Sequence, residues 1–225
     1  MAIAFDNATD GGFLGGVTSL TFSHTVGTGA NRILFVQACT YSTAADITGI
    51  TYAGVSMTAV GNASSKAVSD PDRFVYLYVL PNPASGANNV VISTSASVLI
   101  GGAASSYTGA LQTSTVDQST TARNVVGVTN FTTTLTSIAN NCWTVIAVFN
   151  TDSSPMTAGA GTTIRVKDTP INSCIADSNA AITPAGSTSL IINSSGNVNW
   201  ATVMASFAPS IASTISSNLT ILGVG

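Results

Sequence analysis

The sequence predicts an all-β fold: a two-sheet antiparallel β-sandwich over residues 1–209, followed by an apolar C-terminal tail over 210–225. Three observations carry this. Short runs of Val, Ile, Thr, Ser and Ala recur along the chain, and β-branched residues suit a pleated, half-buried surface. Gly, Asn, Pro and Asp separate these runs at turn-like intervals. No segment joins a helical apolar repeat to capping residues, so a βαβ arrangement is not indicated. A chain of 225 residues suits one large β domain, and a 45% apolar fraction can build its core.

The elements follow in order. In 17–26, Leu20, Phe22, His24 and Val26 alternate with Ser19, Thr21, Ser23 and Thr25, the period-two pattern of a half-buried strand. GTGAN at 27–31 is a turn. Residues 32–41 are almost continuously apolar, as in a strand covered on both faces. Residues 47–52 and 55–60 flank Ala53-Gly54, a hairpin or bulge signal. RFVYLYVL at 73–80 is the strongest β run, closed by Pro81-Asn82-Pro83. Strands are expected at 89–97 and 99–108, with Gly101-Gly102 marking a bend or a close backbone approach. Residues 109–127 lack periodicity and read as a long loop, a common place for function. Strands resume at 128–135 and 142–150, a loop fills 151–162, and strands at 163–167, 187–193 and 199–208 complete the domain. Pro209 ends the last one. No repeat of 20–50 residues is visible, which argues against a solenoid or propeller.

The charge pattern is sparse. There is no glutamate, one histidine, and 7% charged residues, for a formal charge of −3. The six basic residues are scattered, whereas nucleic-acid binding needs clustered Lys and Arg, so no nucleic-acid partner is expected. The apolar runs are strand-sized, well short of the ~18 residues of a membrane-spanning helix, so no membrane partner is expected either. The opening MAIAFDNATDGG lacks the basic and apolar regions of a secretory signal. Release by lysis, as for a phage particle, fits that start. Virion or extracellular surface is the expected location.

Five segments resemble a jelly-roll-type β-sandwich module of bacterial secreted proteins and phage structural proteins. They are SLTFSHTVGTGANRILFV (19–36), ITGITYAGVSMTAVG (47–61), VYLYVLPNPASGANNVVIS (75–93), GAASSYTGALQ (102–112) and NWATVMASFAP (199–209). The resemblance implies a jelly-roll-like accessory or structural module, usually without catalysis. This chain departs from it in standing nearly alone, with an added tail.

The chemistry-bearing residues are few. His24 shares the parity of Leu20, Phe22 and Val26 and reads as an inward-facing core histidine; no motif supplies the nucleophile and carboxylate a general base needs. Cys39 and Cys142 sit in apolar runs and read as buried free thiols. Asp70-Pro71-Asp72, and Asp6, Asn7 and Asp10 before Gly11-Gly12, offer oxygens of the kind calcium takes. Neither matches an EF-hand loop, and plain turns are the simpler reading. Trp143 and Trp200 lie in apolar strands and read as core. Tyr41 near a strand end, with Asp117 and Gln118 in the long loop, are the residues placed to face a ligand. No catalytic residue, metal or cofactor is expected.

These features point to a non-catalytic structural protein: a phage-type virion surface, capsid-decoration or fibre subunit. Its expected partners are copies of itself and other virion or surface proteins. The alternative is a carbohydrate-binding module of a secreted protein, with a glycan as partner. Ile211, Ile215, Leu219, Ile221, Leu222 and Val224 are the expected assembly residues. They form an apolar appendage beyond a finished domain and need cover from water.

Overall fold

The computed structural model describes residues 1–42, 46–61, 66–70 (backbone only), 73–151, 154–168 and 172–211. Every regular element among them is a strand. The first sheet contains β1 (Ala4–Val26), β2 (Ile33–Tyr41), β3 (Ile47–Tyr52), β4 (Val55–Ser56), β5 (Thr58–Ala59), β6 (Lys66–Asp70), β7 (Arg73–Pro81) and β8 (Gly86–Thr108). The second contains β9 (Gln118–Thr136), β10 (Trp143–Asn150), β11 (Met156–Ala158), β12 (Thr163–Asp168), β13 (Ser173–Asp177) and β14 (Ser187–Phe207). All pairings are antiparallel. The expected two-sheet antiparallel β-sandwich is the observed fold.

Each sheet is built from one continuous stretch of chain. The first has the order β4-β3-β8-β2-β7-β5, with β1 on β8 and β6 on β7; the second has β11-β14-β10-β13-β12, with β9 on β14. In both, a long first strand pairs with a long last strand. The second strand of each sheet lies between that last strand and the one before it.

Strand parity makes three cores. In β2, Ile33, Phe35 and Cys39 face the layer between the sheets, while Leu34, Val36 and Ala38 face a second core on the other side. In β10, Val145, Ala147 and Phe149 meet the same central layer, and Ile146 and Val148 enter a third core. Burial on both faces is why these strands read as unbroken apolar runs. Fully buried Phe35, Tyr107, Phe149 and Phe207 anchor the central layer, each contributing about 2 kcal/mol of apolar burial.

The outer cores close because the long strands curl. A Cβ on Gly102 would lie 2.6 Å from the Ile92 Cδ1 of the same strand, and one on Gly11 would lie 2.5 Å from the Phe22 ring of its own strand. The two ends of one strand thus face each other across a core, and a side chain at either glycine must push its neighbour aside. This is the close approach expected at Gly101-Gly102.

The curl also corrects several expected boundaries. Residues 89–97 and 99–108 are one strand, β8, as are 187–193 and 199–208 in β14. β1 begins at Ala4 rather than 17, and β9 begins at Gln118, so 118–127 is strand rather than loop. The register shifts between Leu14 and Val17 of β1, and between Val198 and Trp200 of β14, opposite Val128 and Asn124 of β9. Gly16 and Gly127 turn the strands there with φ of 69° and 75°. A bulge changes which face a residue presents, so the period-two signal breaks inside a continuous strand. The hairpin at Ala53-Gly54 is as expected, with φ of 51° and 77° joining β3 to β4.

Candidate functional site

Three clusters of titratable residues stand out; elsewhere Tyr76 donates its hydroxyl to Asp46 at 2.9 Å. The first surrounds His24, which is 1% exposed on β1. Its Nδ1 lies 2.8 Å from Thr9 Oγ1 and its Nε2 lies 3.2 Å from Ser106 Oγ. Ser106 Oγ donates to Asp6 Oδ2 at 2.7 Å, and the Gly27 amide donates to the same oxygen at 2.8 Å. The serine proton therefore goes to Asp6, so the histidine donates from Nε2 to Ser106 Oγ and accepts from Thr9 at Nδ1. A nucleophilic triad is wired differently: histidine takes the serine proton and the carboxylate orients the far ring nitrogen. Here the serine stands between the other two. Burial brings the His24 pKa from 6.5 down to about 4, against a weaker opposing pull from Asp6. The imidazole stays neutral and holds β1 to β8. The inward-facing reading of His24 fits this position; the Ser and Asp beside it were invisible in sequence, being far away in the chain.

The second place is the start of β9. Asp117 accepts from the Ile138 and Ala139 amides at 2.9 and 3.1 Å and from Ser206 Oγ at 2.9 Å. Gln118 donates from its backbone amide to Ser206 Oγ at 3.1 Å and from its side chain to the Asp117 carbonyl at 2.6 Å. The Asp117 side chain ties down the loop that follows β9. Burial, with Asp117 alongside, pushes the Cys142 thiol up to about 12. Tyr41 lies elsewhere. It packs edge-on to Phe149 at 5.2 Å, and the Arg73 guanidinium covers its ring at 4.6 Å. Phe149 is near the end of β10 and Cys142 just before its start, about 23 Å apart along an extended strand. The three residues expected to face a ligand do not converge.

The third place joins the sheets. Asp177 of β13 is fully buried and takes Arg165 Nε at 2.7 Å, the Tyr107 hydroxyl at 2.9 Å and the Asn179 amide at 3.0 Å. The Arg165 guanidinium also sits 4.0 Å from the Phe5 ring centroid. Tyr107 and Phe5 belong to the first sheet, Asp177 and Arg165 to the second. Burial, then the Asp177 charge, holds the Tyr107 phenol well above its ordinary range. In all three clusters the carboxylate accepts from groups of the protein itself.

The other expected candidates have ordinary places. Asp10 accepts from the Gly12 amide at 2.8 Å, and Asn7 donates to the Thr25 carbonyl at 2.8 Å, so Asp6, Asn7 and Asp10 turn to separate partners. Asp70-Pro71-Asp72 lies outside the residues whose side chains are described. Among the described residues, no group of three or more His, Cys, Asp or Glu is arranged to hold a metal. Cys39 and Cys142 are buried free thiols, and Trp143 and Trp200 are buried, as expected of each; Cys174 is also a buried free thiol.

The open surface of interest is where β14 ends. An open depression of about 590 Å³ is lined by Met1, Ile3, Trp143, Pro209 and Ser210, among others. The Met1 amino group donates to the Ser210 carbonyl at 2.6 Å, and Asn31 Nδ2 donates to Ser210 Oγ at 3.0 Å, fixing this edge. The next residue, Ile211, is 84% exposed. The other expected assembly residues, Ile215, Leu219, Ile221, Leu222 and Val224, lie outside the described residues. No protein-family model matches this chain, and no curated protein matches it.

Proposed function

We propose that this chain is a non-catalytic structural protein, a phage-type virion surface, capsid-decoration or fibre subunit. It assembles with copies of itself through the sandwich and the tail. The observation that carries this reading is the root of the tail. The domain is locked up to Ser210, and the chain then presents Ile211 to solvent beside a largely apolar depression that Trp143 helps to line. Five further aliphatic residues follow in sequence, at 215, 219, 221, 222 and 224. Apolar surface of that kind gains most when a neighbouring subunit covers it. The His24, Asp117 and Asp177 clusters support the reading too, because their hydrogen bonds are spent on holding strands and loops.

Light scattering coupled to size-exclusion chromatography tests the proposal. A chain ending at Ile211 should keep its β circular-dichroism spectrum and elute at lower mass than the full chain at equal concentration. An unchanged mass with the fold intact would sink the assembly role of the tail.

A further inference from the structure

The two sheets share more than strand order; they share positions. Laying β8 on β14 places Tyr107 on Phe207 and Ser106 on Ser206, and the partner strands follow in step: Ile33 faces Tyr107 as Trp143 faces Phe207. In the same alignment, Val17 opposite Val98 corresponds to Val128 opposite Val198, and each is preceded by a glycine of positive φ, Gly16 and Gly127. Asn31 and Asn141, both with positive φ (55° and 61°), stand at matching places before β2 and β10.

Two side-chain devices recur as well. Asp6 takes the Ser106 hydroxyl and the Gly27 amide; Asp117 takes the Ser206 hydroxyl and the Ile138 amide. Each carboxylate sits at the start of the first long strand and ties down the loop after that strand. In the curled core, Phe22 packs on Gly102, while at the corresponding positions Thr133 and Thr202 share a 2.7 Å hydroxyl hydrogen bond. A large-small pair in one sheet is a medium-medium pair in the other. Strand order alone could arise twice by chance, but identical bulge glycines, paired registers and Asp–Ser fasteners have no common physical cause except common descent.

Where a residue meets its own counterpart, a twofold axis passes. Tyr107 and Phe207 touch with ring centroids 5.1 Å apart. Ala110 bridges Pro209 in antiparallel sense, and the Ser210 amide donates to the Gly109 carbonyl at 2.7 Å. We infer that the chain is two copies of one β unit, residues 1–110 and 112–210, and that the layer between its sheets is a symmetric dimer interface made internal. The partner that the inner face of either unit fits is a second copy of that unit, which is how isologous twofold contacts work.

Side-chain grafts in the full chain test the equivalence. In the first unit the graft is Phe22→Thr with Gly102→Thr; in the second it is Thr133→Phe with Thr202→Gly. Each single variant should lower the urea midpoint, through a void, a clash or a lost hydroxyl partner. Each double variant should recover most of the combined loss, because it installs a pair already proven at that position in the other unit. Additive losses in either unit would show that the positions are not equivalent and would overturn the inference.

Discussion

Tyr107 of the first sheet donates its hydroxyl to the fully buried carboxylate of Asp177 in the second, at 2.9 Å. The two sheets are thus pinned at a polar point, where Arg165 supplies the counter-charge, and Gln37 Nε2 donates to the Val148 carbonyl across the same layer at 3.1 Å. Tyr107→Phe removes one hydrogen bond to a charged group and should cost about 2 kcal/mol in urea unfolding. Asp177→Ala should cost more, about 3–5 kcal/mol, since it leaves Arg165 largely buried and unpaired. Equal losses for the two variants would show that Arg165 gains nothing from the carboxylate.

His24 sets a pH dependence. Its folded pKa, about 4, lies below the free value of 6.5. Between those values the unfolded chain binds a proton that the folded chain refuses. Stability therefore falls as the pH is lowered from 6.5 to 4, by about 3 kcal/mol in all, and this contribution is flat above 6.5. His24→Gln should remove that component from a plot of unfolding free energy against pH. The difference between the two curves reports the imidazole. A difference curve without slope in this window would refute the buried, neutral histidine.

The thiols should be silent in the folded state. Burial pushes Cys39 up to about 12, as it does Cys142, and raises Cys174 as well. At pH 8 almost no thiolate is present, and no sulfur is open to solvent. A thiol reagent should label all three only at the rate of unfolding. Fast labelling of any one in native buffer would contradict its placement.

Asp117 should govern the loop after β9. Replacing it with Ala removes the acceptor for the Ile138 and Ala139 amides and for Ser206. Those two amides should exchange hydrogen faster, and global stability should drop by about 2 kcal/mol. Asp6→Ala should do the same to the Gly27 amide. Unaltered exchange at Ile138 and Ala139 would mean that other contacts hold the loop.

Much of the fold is legible in the sequence because local chemistry encodes it. Ala53-Gly54 turns where the spacing says, and residues 32–41 read as covered on both faces because Phe35 and Val36 fill different cores. The long strands are not legible as wholes. Their bulges at Gly16 and Gly127 reset the parity, so each appears as two short strands or as strand plus loop. The fasteners were hidden for a different reason. Ser106 and Ser206 carry no local mark that separates them from the many serines around them; only the folded register sets them against Asp6 and Asp117. The doubled architecture leaves a faint trace in PNPASG and TPAG, which precede the two last strands. Its period, about half the chain, lies outside the 20–50-residue range of solenoid and propeller repeats.

The way β14 leaves the domain bears on mechanical load. Residues 201–206 are hydrogen-bonded to β9 on one side and to β10 on the other, right up to the exit of the chain. A pull on the tail along the strand axis therefore loads both ladders in shear, with many bonds sharing the tension at once. A strand at a sheet edge, pulled sideways, would unzip one bond at a time. The end of β14 is thus a strong point of attachment, and single-molecule pulling from it should meet far greater resistance than pulling from Val55 on the short outer strand β4.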